Sequence, residues 1–65
     1  MNTALIIATD AEDAVVDKTR TLDEHDTIWS SVVTWLATEG VAAVTVKRYD
    51  TSDTLVQQYV VTLVA

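Results

Sequence analysis

Between Thr21 and Gly40 the apolar residues change period, and that switch limits what the chain can become. On a helical wheel Leu22, His25, Ile28, Trp29, Val32, Val33, Trp35 and Leu36 fill one arc. Asp23, Asp26, Thr27, Ser30, Ser31, Thr34, Ala37 and Thr38 fill most of the rest. "TLDE" (21–24) fits a capping box, with Thr21 as N-cap and Glu24 three residues on. Gly40, the sole glycine, suits the residue just past a helix end. The pattern predicts one helix over residues 22–39.

The flanking segments read as strands. Valine and threonine, eleven of each, favour extended backbone. "TALIIAT" (3–9) is a short buried strand. "AVVDKTRT" (14–21) has partial helical spacing through Ala11, Ala14, Val15, Lys18 and Leu22. Its Val-Val pair and two threonines are weak helix formers, which favours a strand. "VAAVTVKRY" (41–49) and "TLVQQYVVTLVA" (54–65) are the third and fourth. "DAED" (10–13) and "DTSD" (50–53) are turns whose aspartates bond their own backbone. No internal repeat, Pro/Gly linker or low-complexity stretch is visible.

The order β-β-α-β-β implies an α+β fold. The expectation is a four-stranded mixed sheet with the helix packed across one face, in one small domain over residues 1–65. Lys18 and Arg20 fall on the second strand, Lys47 and Arg48 on the third, and the first and fourth carry no charge. Basic residues guard sheet edges against stray pairing. The expected strand order is therefore 2-1-4-3, with strands 1 and 4 central and parallel. That plan is similar to the small immunoglobulin-binding domains of bacterial surface proteins. The likeness is one of architecture, without a shared motif, and does not carry function.

Chemistry is sparse. There is no cysteine and one histidine, so disulfides, thiolate metal sites and most nucleophilic dyads are excluded. One glycine cannot build a phosphate-cradling loop. "DAED" and "DTSD" lack the spacing and turn glycine of an EF-hand. No cofactor or metal and no enzymatic activity are expected. His25 stands in "DEHD", but no carboxylate lies three or four residues from it, and it reads as a packing residue at the buried start of the helix.

Ten acidic against four basic residues give a formal net charge of −6. Phosphate repels such a chain, which argues against direct nucleic-acid binding. Anionic membrane surfaces are disfavoured likewise. No apolar run approaches the length of a membrane span, and "MNTALIIAT" lacks a basic leader region. The localisation expected is cytoplasmic, or host cytoplasm for a viral protein.

Two surfaces remain as candidates. Asp23, Glu24, Asp26, Asp50 and Asp53 are expected at one acidic pole, with Asp10, Glu12, Asp13 and Glu39 at the other. The second is the sheet face away from the helix. With Leu5 and Ile7 turned to the helix, Ile6, Val56, Val60 and Val64 lie on the open face, and Trp35 sits half-free at the helix rim. Trp29 lies mid-arc and reads as core. The expected function is a non-enzymatic acidic protein-binding module, its partner a protein with a basic surface. Its sharper form is a phage-type inhibitor in which carboxylates mimic nucleic acid. The alternative is a structural homo-oligomer joined through the open sheet face.

Overall fold

A computed structural model of the chain describes residues 1–63. It contains β1 (Thr3–Thr9), β2 (Val15–Leu22), α1 (His25–Leu36), β3 (Ala43–Tyr49) and β4 (Leu55–Thr62). The fold is α+β, and the segment expected as a strand over 14–21 is β2, Val15–Leu22. Val64, assigned above to the open face, lies outside the described residues.

The strand order is β2-β1-β3-β4, not 2-1-4-3, and every neighbouring pair is antiparallel. β3 is central although it carries Lys47 and Arg48. Lys47 sits opposite Leu5 and Gln58, so its head can reach solvent from the uncovered face. Arg48 sits near the strand end, bonded to Asp23 where the chain enters the helix. Neither charge is buried unpaired, so neither bars a central position. After the helix, the Ala42 amide donates to the Thr9 carbonyl at 2.8 Å, which docks the chain on β1 as β3 begins. The parallel contact between strands 1 and 4 does not form.

The helix is shorter than the periodicity suggested. Thr21 and Leu22 belong to β2, where Leu22 pairs with Thr3, so Thr21 is not the N-cap. Glu24 holds that position and makes no side-chain cap bond. Ala37 is the C-cap, and Gly40 follows with φ of 92°, a conformation that glycine adopts without strain.

Ala4, Ile6, Ala8, Val44 and Val46 on the sheet and Ile28 and Val32 on the helix are buried. Trp35, Leu36, Val41, Tyr59 and Val61 pack around them. The facing of β1 is thus the reverse of that expected. Ala4, Ile6 and Ala8 turn to the helix, and Leu5 and Ile7 lie on the open side. Ala4 and Ala8, fully buried either side of Ile6, take up little volume beneath the helix, a packing cue that alternation alone does not supply.

The sheet is two matched hairpins. The Asp10 amide donates to the Ala14 carbonyl at 3.0 Å, as Asp50 does to Thr54 at 3.0 Å. The Asp10 carboxylate accepts from the Glu12 and Ala14 amides, and the Asp50 carboxylate from Ser52 and Thr54. Asp13 and Asp53 take the left-handed conformation, with φ of 63° and 61°. The register shifts between Ala8 and Thr9, and again between Arg48 and Tyr49. Each residue of the second hairpin stands forty positions after its counterpart. The β1–β3 ladder, centred on Ile6 and Val46, obeys the same relation, so a local twofold axis crosses the sheet there. The sequence showed no repeat because only the D-x-x-D turns and Val16/Val56 are identical between the halves.

Candidate functional site

Of the five residues expected at an acidic pole, four are placed by the strand ends, and Asp26 lies in the first turn of the helix. β2 ends, β3 ends and β4 begins at one end of the sheet, which brings Asp23, Glu24, Asp50 and Asp53 together. Their carboxylates are largely occupied. Asp23 accepts from Arg48 Nε at 2.9 Å and Nη2 at 3.0 Å, a two-point ion pair with Asp23 only 7% exposed. Arg48 Nη1 also donates to Gln57, so one guanidinium ties the helix entry to β3 and β4. Its pKa is raised by the hydrogen bond to Asp23 and then by the charge of that carboxylate. Asp50 is committed to its turn, and Asp53 pairs with Arg20 at 3.2 Å. Glu24 and Asp26 remain exposed and make no side-chain hydrogen bond or ion pair among the described residues. At the opposite pole the Asp10 carboxylate is likewise spent on its own turn.

His25 is exposed, not buried. Its ring meets Trp29 edge-to-face with centroids 6.0 Å apart. The two tryptophans exchange the parts expected of them. Trp29 is 38% exposed, whereas Trp35 is half-buried against the core. The buried line of the helix runs through Ile28 and Val32, which turns Trp29 and Val33 outward on the β4 side. The wheel gave the width of the apolar arc but not which part of it meets the sheet. No group of three or more His, Asp or Glu able to hold a metal occurs among the described residues.

The open sheet face carries the chemistry that sequence reasoning missed. Residues directly opposite in a ladder share a face. Leu5 stands between Arg20 and Lys47, and Ile7 between Lys18 and Thr45. Lys47 and Thr45 are followed outward by Gln58 and Val60. Three of the four cations therefore lie on the side that the helix does not cover. The strands' one carboxylate, Asp17, pairs with Ala8 and faces the helix side. The Arg20 guanidinium lies 5.0 Å from the Tyr49 ring centroid and donates to Thr3 Oγ1 and Asp53. Leu5 and Ile7 are half-buried with no helix over them, consistent with the methylene stems of the basic residues lying across them while the heads reach water. Ile6 is absent from this face. Val60 belongs to it and is 58% exposed, and Val56, exposed as well, is the extra residue of the β4 bulge. The signal was present in the alternation of "DKTRT", but the inverted facing of β1 concealed that these residues meet Leu5, Ile7 and Lys47.

A third surface flanks β4 on the helix side. Tyr59, Gln57, Arg48 and Trp29 line a hollow near the helix start. Val33, Leu36, Ala37 and Leu63 line an apolar one near its end. No helix among the described residues is long and apolar enough to cross a membrane. Comparison with known proteins finds no matching family model, no similar curated protein and no similar solved structure.

Proposed function

We propose that this protein is a non-enzymatic protein-binding module that takes an acidic, part-apolar protein segment on its open sheet face. One observation carries the reading: Lys18 and Lys47 share that face around Leu5 and Ile7 with no strand carboxylate beside them, and Arg20, held by Asp53 from the turn, lies next to them. Charges farther than about 8 Å are largely screened at physiological ionic strength. A segment on the face therefore meets the local cations more strongly than the net charge of −6. The lysine and arginine stems can swing aside and leave leucine and isoleucine for apolar contact.

The same cations weigh against the face as a homo-oligomer contact, since stacking two copies sets Lys18 and Lys47 against their own copies, with Arg20 alone already paired to Asp53. The basic-partner reading, with its nucleic-acid-mimic form, rests on Glu24 and Asp26, because Asp23 and Asp53 are ion-paired and Asp50 caps a turn.

The test titrates isotope-labelled protein with three probes, namely a glutamate-rich peptide containing leucines, oligothymidylate and a lysine-rich peptide. The expected result is shifts with the acidic peptide at Leu5, Ile7, Lys18, Lys47 and Tyr49, abolished by Lys18→Glu with Lys47→Glu. Response to oligothymidylate alone would replace the protein partner with a nucleic acid. Shifts at Glu24 and Asp26 with the lysine-rich peptide alone would favour the basic partner instead.

A further inference from the structure

The twofold relation between the hairpins makes β2 and β4 geometrically equivalent edges. Both are eight residues long, both carry a bulge after the turn, and both pair with a central strand in the same register. Their sequences differ where an edge is exposed to pairing. Asp17, Lys18 and Arg20 on β2 correspond to Gln57, Gln58 and Val60 on β4. β2 therefore carries the charges by which natural sheets block edge-to-edge association. β4 carries none and has no proline.

Beside this unguarded edge, both layers of the fold expose apolar side chains. On the helix layer Trp29, Val33 at 60% exposure and Leu63 at 70% border β4. On the sheet layer Val60 and Leu55 do so. His25, Trp29 and Val33, spaced by four, form one stripe along the helix. Seven of the described residues are buried in the core that supports all this, and a domain of this size is correspondingly marginal on its own.

We propose that the protein forms a twofold dimer through antiparallel β4–β4 pairing, which continues the two sheets into one of eight strands. A second copy of this chain is the occupant the features fit. An antiparallel strand pair about a twofold axis is self-complementary, so one uncharged edge serves both sides. The pairing sets no charged strand residue against its like. It also lays the two Trp29–Val33 stripes toward each other across the join, and apolar surface beside the edge leaves water in both layers. The open sheet face stays free, so the dimer does not depend on the acidic-segment reading.

The experiment measures molar mass in solution by sedimentation from micromolar to millimolar protein, together with amide hydrogen exchange. The wild type is expected to reach twice the 7.1 kDa chain mass, with alternate amides along the outer edge of β4 protected as the dimer forms. Gln58→Lys with Val60→Arg, which copies the two β2 cations onto β4, is expected to hold the protein monomeric with an unchanged circular dichroism spectrum. Lys18→Gln with Arg20→Val, the reverse transfer, is expected to open the β2 edge and produce species larger than a dimer. A wild type that stays monomeric at millimolar concentration overturns the proposal. So does a dimer whose outer β4 amides exchange freely. So does a folded Gln58→Lys, Val60→Arg variant that dimerises as before. None of these outcomes bears on peptide binding by the open face.

Discussion

Ile6 and Val46 face each other across the central ladder, both fully buried, at the point where the two hairpins exchange places. Beneath α1 this pair forms the middle of the core. Truncation of Ile6 to alanine removes three methyl-equivalents from a site with little room to collapse. The expected loss is about 2–4 kcal/mol, a large share of what a domain this small possesses. Leu5→Ala, one residue away but on the open face, should cost only about 1 kcal/mol. Urea unfolding of the two variants measures the difference, and equal losses would contradict the facing of β1.

Arg48 holds Asp23 at the entry to the helix. Arg48→Ala leaves a carboxylate with little access to water and no cation, and should lower the melting temperature more than Arg20→Ala does at the exposed Asp53 pair. The raised pKa of Arg48 gives a sign for alkaline titration. A group whose folded pKa is raised stabilises fully below its unfolded value and loses that contribution only as pH climbs through the folded one. Both values lie beyond ordinary alkaline buffers, so thermal unfolding between pH 7 and 10 should show no loss that Arg48→Ala removes.

The two turns offer a matched test. Asp13 has φ of 63°, which costs an L-residue energy that glycine avoids. Asp13→Gly relieves a left-handed cost of about 1–2 kcal/mol that aspartate pays only in part, against about 0.5–1 kcal/mol of added chain entropy, and should stabilise the protein by less than about 1 kcal/mol. Asp10→Ala removes two carboxylate–amide bonds and should destabilise by about 1 kcal/mol. The same opposition is expected at Asp50 against Asp53, lessened at Asp53 by the loss of its contact with Arg20. Denaturant midpoints for the four single variants measure it.

Trp29 is the accessible tryptophan and Trp35 the shielded one. Acrylamide quenching of Trp35→Phe should therefore exceed that of Trp29→Phe under dilute conditions. The reverse ranking would restore the helix orientation that periodicity alone suggested.

The strands and turns were legible because each rests on local chemistry. Valine and threonine runs fix extended backbone, and D-x-x-D supplies its own amide acceptors. The strand order was not legible. Lys47 and Arg48 read as edge markers, yet one points away from the helix and the other is neutralised by Asp23, a partner twenty-five residues earlier in the chain. The facing of β1 depended on whether the alanines with Ile6 or the larger Leu5 and Ile7 meet the helix, which alternation alone does not decide. Of the candidate site, the acidic cluster at the pole followed from the turns, but the occupation of its carboxylates did not. The cationic face emerged only once Lys18, Arg20 and Lys47 were placed around Leu5 and Ile7.

The matched hairpins also set a kinetic order. Each closes a five-residue turn, so each can form early at small entropic cost. The ladder between β1 and β3 must instead wait for the intervening helix to span the sheet, because it joins residues some forty positions apart. Its closure should be the slow, rate-limiting event. Until then β1 and β3 each offer an unpaired inner edge, uncharged along most of its length, and that interval is when chains synthesised at high concentration are most exposed to pairing with the wrong copy.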